Sequence, residues 1–165
     1  MGRWRPPPPD SSPYITAEGY RLLEDELRNL WQRRADVTRA LTAAAAEGDR
    51  SENAEYIYRK KELREIDQRI GYLQKRLPVL HVISDLPADK ARVFFGAQVT
   101  VEDTAGTQTT YRIVGADELD PGKHCISIDS PLARAMLKKT LHDAVEVATP
   151  AGRVRYRIRL IRYTD

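Results

Sequence analysis

Two hydrophobic periods divide this chain, and each predicts a different kind of structure. In the first half, apolar residues fall at Tyr20, Leu23, Leu27, Leu30, Val37 and Leu41, with Arg34 at the one polar step. Residues three and four apart share a helix face, so this is an a/d heptad seam with one interruption. Thr16 is a good N-cap ahead of it, followed by Ala17 and Glu18. Ala43 to Ala46 continue the run with the strongest helix former. Gly48 breaks the pattern. A second seam follows at Tyr56, Leu63, Ile66, Ile70, Leu73 and Leu77, and Pro78 ends it. Two heptad helices joined by a short turn predict an antiparallel coiled-coil hairpin over 14–78. Pairing about the turn sets Leu41 near Arg59, Val37 near Leu63, Leu30 near Ile70 and Leu23 near Leu77. Helices of about 28 residues rising ~1.5 Å each make a rod about 40 Å long. No further long helices follow to complete a bundle, so the hairpin is expected to project as an arm.

From Val79 the period is two. Polar and apolar residues alternate over Gln98–Glu102, Thr110–Val114 and Ala144–Val147. The longest alternation runs from Arg153 to Tyr163, where Arg153, Arg155, Arg157 and Arg159 interleave with Val154, Tyr156, Ile158 and Leu160. That is a strand with one wet face. Asp103–Thr104–Ala105–Gly106 and Pro150–Ala151–Gly152 are turn signals. Ser130–Pro131 opens a short helix expected over 132–139, with proline at its first position. Residues 79–165 therefore read as a small antiparallel sheet with one short helix, and the whole chain as α+β. Residues 1–13 carry Pro6 to Pro9, which have no N–H for a helix or ladder. They read as a disordered proline-rich tail with polyproline II character.

Composition narrows the function. At 41% hydrophobic, the 165 residues can bury a core. Aromatics at 7% argue against a base-stacking platform. No apolar run nears the ~18 residues of a membrane span, and no secretory signal opens the chain. The single Cys125 excludes an internal disulfide, and with His81, His124 and His142 scattered it excludes a Cys/His zinc site. A cytoplasmic protein is the simplest reading. The net charge of +3 lacks the basic excess of an autonomous DNA-binding domain. Any polyanion must be met by locally segregated charge.

Two clusters carry candidate chemistry. The turn reads Glu47–Gly48–Asp49–Arg50–Ser51–Glu52–Asn53. In the plainer reading, Asp49 and Glu52 form a capping box at the positive end of the second helix. In the functional reading, the tip delivers both carboxylates into another protein's cavity, where they complete the shell of a Mg²⁺ ion. Behind the tip come Arg59, Lys60, Lys61 and Arg64, with Glu62 and Glu65 among them. They are either a solvated face with intrahelical ion pairs or a patch that tracks the phosphates of a single strand.

The stretch Gly48–Asp49–Arg50–Ser51–Glu52–Asn53–Ala54–Glu55–Tyr56 resembles the tip motif of the bacterial Gre transcript cleavage factors. Tyr58–Arg59–Lys60–Lys61–Glu62–Leu63–Arg64–Glu65–Ile66–Asp67 is similar to the GreB branch rather than GreA. So are Leu30–Trp31, Val93–Phe94–Phe95–Gly96–Ala97, Ile126 to Ala135, and Thr149–Pro150–Ala151–Gly152. The similarity runs in order from about Ile15 to Tyr163, without the proline-rich start. The resemblance implies a coiled-coil hairpin and an FKBP-like C-terminal domain. It implies a monomer with one main partner, bacterial RNA polymerase, entered through its secondary channel, and contact with the nascent RNA 3′ end. It implies no membrane partner. The chain would have no cofactor of its own and would not itself be an enzyme. It would stimulate the polymerase's own RNA hydrolysis by lending Asp49 and Glu52 to the catalytic Mg²⁺. By the same resemblance, Arg59, Lys60, Lys61 and Arg64 hold RNA. Asp129, Ser130 and Pro131 dock on the rim of the channel, where the plainer reading is an ordinary N-cap with proline after it.

Two other readings compete. A homologue that binds the channel without cleaving would carry an altered tip, whereas this tip keeps both Asp49 and Glu52. A prolyl isomerase would rest on the FKBP-like fold alone. Residues 79–165 hold only Phe94, Phe95, Tyr111, Tyr156 and Tyr163 as aromatics, too few for a proline pocket.

Overall fold

The heptad seams close on each other as two long helices, α1 (Ala17–Ala45) and α2 (Ala54–Arg76). The structure, a computed structural model, describes residues 4–47 and 53–164. Val37, Ile66 and Ile70 are buried between the helices, with Leu27, Leu30 and Leu63 packed around them. The expected contacts of Val37 with Leu63 and Leu30 with Ile70 fall within this cluster. Leu23 and Leu73 are buried further along. Ion pairs bridge the seam: Arg33 to Glu62 at 2.5 Å, Arg34 to Asp67 at 2.6 Å, and Arg69 to Glu26 at 2.5 Å. The pair nearest the start of α1 is also the one nearest the end of α2, so the helices are antiparallel. Arg34 is the polar step of the seam, and Asp67 holds its guanidinium charged, first by their hydrogen bond.

Residues 20–80 form one compact unit. The other joins residues 1–19 to 81–165. That division differs from the boundaries at 13 and 78 expected from the proline-rich start and the change of hydrophobic period. The reason is a short strand on each side of the hairpin: β1 (Tyr14–Thr16) pairs in parallel with β2 (His81–Ile83). The hairpin is thus an insertion between two paired strands. Ser12 also leaves the tail for the C-terminal unit, where its N–H and hydroxyl both donate to the Asp129 carboxylate.

The main sheet has five strands: β3 (Gln98–Glu102), β4 (Gln108–Val114), β5 (Cys125–Ser127), β6 (Ala144–Thr149) and β7 (Gly152–Arg162), in the order β5-β4-β3-β7-β6. All neighbours are antiparallel except β4 and β5, so the sheet is mixed rather than purely antiparallel. A three-residue strand has too few positions for a period of two to show, which hid β1, β2 and β5 in the sequence. Val99, Val101, Ile113, Val145 and Ile158 line the inner face with Val93 and Ala97. The short helix α3 (Pro131–Met136) closes it with Ala133 and Met136. Helix α3 stops at Met136 rather than Lys139, because Leu137 turns extended and Lys138 takes φ 67°. No helix of the described residues is long and apolar enough to cross a membrane.

Thr16 caps α1 as its sequence position suggests: its hydroxyl accepts from the Gly19 N–H at 3.0 Å. The Glu118 carboxylate then accepts from the Thr16 N–H at 3.1 Å, the Thr16 hydroxyl and the Gly115 N–H at 2.8 Å. One side chain therefore ties β1 and the start of α1 to the loop after β4. Gly115 and Gly19 make the approach possible. A Cβ on Gly115 would lie 2.0 Å from the Tyr14 carbonyl oxygen, and one on Gly19 would lie 2.0 Å from the Glu118 carboxylate.

Candidate functional site at the hairpin tip

Helix propensity carries α1 through its alanine run to Ala45, and Ala46 and Glu47 form a turn. Asp49 and Glu52, the proposed metal ligands, lie outside the described residues. What the structure does describe is the start of α2, which begins at Ala54 with Asn53 as its N-cap. Asn53 is extended, and its side-chain oxygen accepts from the Tyr56 N–H at 3.1 Å. Its amide donates to the Ala44 carbonyl at 2.8 Å. One side chain thus satisfies an orphan donor of α2 and an orphan acceptor of α1. This overturns the capping-box reading, which placed the N-cap at Asp49 and the N3 position at Glu52. The sequence carried the signal: asparagine leads the N-cap ranking, and Ala54 and Glu55 after it suit a first turn. Replacing Asn53 by Ala should destabilise the hairpin by about 1–2 kcal/mol. A urea melt of the variant against the parent checks it, and an unchanged midpoint would remove Asn53 from the account.

The basic stretch separates into three kinds of residue. Arg59 is half-buried and donates to Glu55 at 2.8 Å and to Glu62 at 3.0 Å. The hydrogen bond to Glu55, then that to Glu62, raises its pKa above the ordinary arginine value. Lys60 is exposed, with its ammonium 6.0 Å from the centre of the Tyr56 ring. Lys61 and Arg64 are exposed and make no ion pair or hydrogen bond with the described residues. The solvated-face reading therefore fits Arg59, whose charge is already met within the helix. It does not account for Lys61 and Arg64. Counting from Asn53 at ~1.5 Å per residue, they stand about 12 and 16 Å along the helix.

The second group lies in the other unit. Ser130 is the N-cap of α3, its hydroxyl accepting from the Ala133 N–H at 3.2 Å, and Pro131 follows at the first helical position. The ordinary capping reading is therefore correct for this pair. Asp129 is held separately. Its N–H donates to the Ser127 hydroxyl at 3.0 Å, and its carboxylate receives the Ser12 N–H at 2.8 Å and the Ser12 hydroxyl. That link from the start of the chain had no sequence signal, since it joins residues far apart through a backbone donor.

Comparison with known proteins agrees with this architecture. The family model "Transcription elongation factor, N-terminal" matches residues 13–82, which span β1, the hairpin and the first two residues of β2. The model "Transcription elongation factor, GreA/GreB, C-term" matches residues 88–163, which span the five-stranded sheet and α3. Among curated relatives, the transcription elongation factor GreB of Xanthomonas axonopodis pv. citri is 55% identical over 167 residues. That alignment covers 100% of this chain and 99% of the relative. The GreB of Pseudomonas aeruginosa is 58% identical, covering 92% of this chain and 91% of its own. The GreB of Yersinia pestis is 54% identical, covering 92% and 90%. With both halves matched in order and relatives aligned nearly end to end, the chain belongs to the GreA/GreB family of transcription elongation factors.

Proposed function

We propose that this chain is a transcript cleavage factor. It enters the secondary channel of bacterial RNA polymerase tip first and stimulates hydrolysis of the backtracked 3′ end of the nascent RNA. It works as a monomer, in the cytoplasm. The observation that carries the reading is on α2. Lys61 and Arg64 stand exposed and unpartnered among the described residues, a few turns behind the tip acids, in a family of elongation factors. Cations free of intrahelical partners are available for RNA phosphates, and Lys60 adds a third.

Glu52 directly precedes the Asn53 cap and Asp49 lies four residues before it, and α2 begins at that cap. Two carboxylates are hard oxygen donors of the kind Mg²⁺ prefers, and too few to complete its shell. The ion would therefore be the polymerase's own, with Asp49 and Glu52 as added ligands. A bound Mg²⁺ stabilises charge on the attacking and leaving oxygens of the hydrolysis. In this reading the chain is not an enzyme by itself and carries no cofactor. Docking is assigned to Asp129, Ser130 and Pro131. Ser12 uses part of the Asp129 carboxylate's acceptor capacity and leaves more for a partner.

The test is 3′-end cleavage of labelled RNA in a stalled, backtracked elongation complex. Adding the protein should shorten the RNA, and the protein alone should leave free RNA intact. Hydrolysis of free RNA by pure protein would contradict the in-trans reading. Binding to polymerase with no cleavage would favour the non-cleaving alternative.

The three kinds of basic residue predict different variants. Lys60→Ala, Lys61→Ala and Arg64→Ala together should slow cleavage most in deeply backtracked complexes. They should also flatten the salt dependence by ~0.7 for each single-strand phosphate no longer neutralised. Polymerase binding should persist. Arg59→Ala should instead show as a lower melting temperature, because it breaks the ion pairs to Glu55 and Glu62. Collapse of polymerase binding in the triple variant would make the patch a docking surface instead.

A further inference from the structure

The alternating arginines of β7 are not used by the hairpin. Pairing in the sheet sends Tyr156, Ile158, Ile161 and Tyr163 to the core, and α3 closes that side. Arg153, Arg155, Arg157, Arg159 and Arg162 are all exposed. A register shift between Thr100 and Val101 keeps the row continuous: Val101 pairs with Ile158 and Thr100 with Leu160, so Arg159 is the extra residue of a bulge. Arg159 then meets Glu102 at 2.5 Å, and Arg153 meets Glu146 at 3.4 Å. Arg157 donates to the His142 carbonyl at 3.0 Å. Arg155 and Arg162 make no ion pair or hydrogen bond with the described residues. Five arginines against Glu102 and Glu146 leave this stretch three positive, equal to the formal excess of the entire chain. The segregated charge that a polyanion requires is therefore present, on a sheet face.

We propose that this outer face of β3, β7 and β6 binds the phosphate backbone of duplex DNA. Three features favour that occupant. The charge is a line: ten residues from Arg153 to Arg162 at ~3.3 Å each span roughly 30 Å, which suits a linear polyanion. Guanidinium forks match phosphate oxygens in pairs. The outward neighbours on β6 and β3 are Ala144, Ala148, Thr100 and Gln98, small or polar, with Leu160 as the one large apolar side chain. A protein partner would need buried apolar or aromatic anchors. A single strand would need aromatic platforms, and Tyr111, Tyr156 and Tyr163 pack against the opposite, core side. With phosphate contacts only, the binding is weak and indifferent to sequence.

The experiment is fluorescence anisotropy with a labelled mixed-sequence DNA duplex and the full chain, from about 50 to about 200 mM salt. Arg155→Gln with Arg162→Gln keeps both side-chain stems and breaks no ion pair, so the melting temperature should hold. The salt slope of that variant should fall by ~1.8, for two duplex phosphates no longer neutralised. Affinity at the lowest salt should drop by at least about tenfold. Three results would overturn the proposal: no duplex binding at the lowest salt, unchanged binding by the Arg155/Arg162 variant, or tighter binding of single-stranded RNA or poly-glutamate than of duplex.

Discussion

Asp49→Asn and Glu52→Gln should each cut transcript cleavage by at least about 100-fold, which is ~2.7 kcal/mol on the barrier, with almost no change in hairpin stability. Both substitutions keep size and a hydrogen-bonding oxygen and remove only charge. A neutral amide is a much poorer ligand for Mg²⁺ than a carboxylate. Metal stabilisation of the reacting oxygens is worth several kcal/mol, so its loss falls on the rate. Stability is protected because the cap is elsewhere: Asn53 accepts from Tyr56 and donates to Ala44, and neither bond involves position 49 or 52. The melting temperature of both variants should therefore stay within a degree or two, a stability change under ~0.5 kcal/mol. The pairing of a large rate effect with a flat melt is the diagnostic. A variant that cleaves normally would take its carboxylate out of the chemistry. A variant that melts early would show a structural role that the Asn53 cap does not predict.

How much could be read beforehand depended on whether the signal was local. The seam of α1 and α2 was legible because burial recurs every three or four residues. Val37, Ile66 and Ile70 fall where the spacing put them. The long alternation of β7 was equally plain, and its arginines do face outward. Two kinds of feature were not legible. The first is competition between neighbours of similar propensity. Asp49 and Asn53 are both good caps, and the fit of the Asn53 amide to Ala44 across the turn selects between them. The second is contact at long sequence separation. The parallel pairing of Tyr14–Thr16 with His81–Ile83 and the bond from Ser12 to Asp129 join residues with no shared periodicity. The basic patch lies between these cases. Its charges were visible, but only the ion pairs of Arg59 to Glu55 and Glu62 separate it from Lys61 and Arg64. The resemblance of the tip motif to a known family supplied the chemistry, since spacing alone left the carboxylates with two readings.

Gly115→Ala should be among the most destabilising single changes in the C-terminal unit, costing about 3 kcal/mol or more. Its Cβ would sit 2.0 Å from the Tyr14 carbonyl oxygen, and backbone cannot rotate away as a side chain can. Relief requires β1 to separate from the loop after β4. That movement strains the Glu118 carboxylate's bonds to the Gly115 and Thr16 N–H groups. Overpacking costs about 1–3 kcal/mol, and each buried donor left unsatisfied about 1–3 more. Gly19→Ala is the informative contrast. Its Cβ would meet the Glu118 carboxylate, also at 2.0 Å, but that is the end of a flexible side chain. The cost should therefore be smaller, limited to the hydrogen bonds Glu118 gives up as it moves. Alanine also gains about 1 kcal/mol over glycine inside a helix. A double-mutant cycle with Glu118→Ala separates the two mechanisms. In the Glu118→Ala background, Gly19→Ala should become neutral or stabilising, because the atom it collides with is gone. Gly115→Ala should remain destabilising there, because the Tyr14 carbonyl stays. Thermal melts of the five variants against the parent give the comparison. Equal costs for both glycine changes in both backgrounds would mean that Glu118 does not hold β1 and the start of α1 in the way its hydrogen bonds indicate.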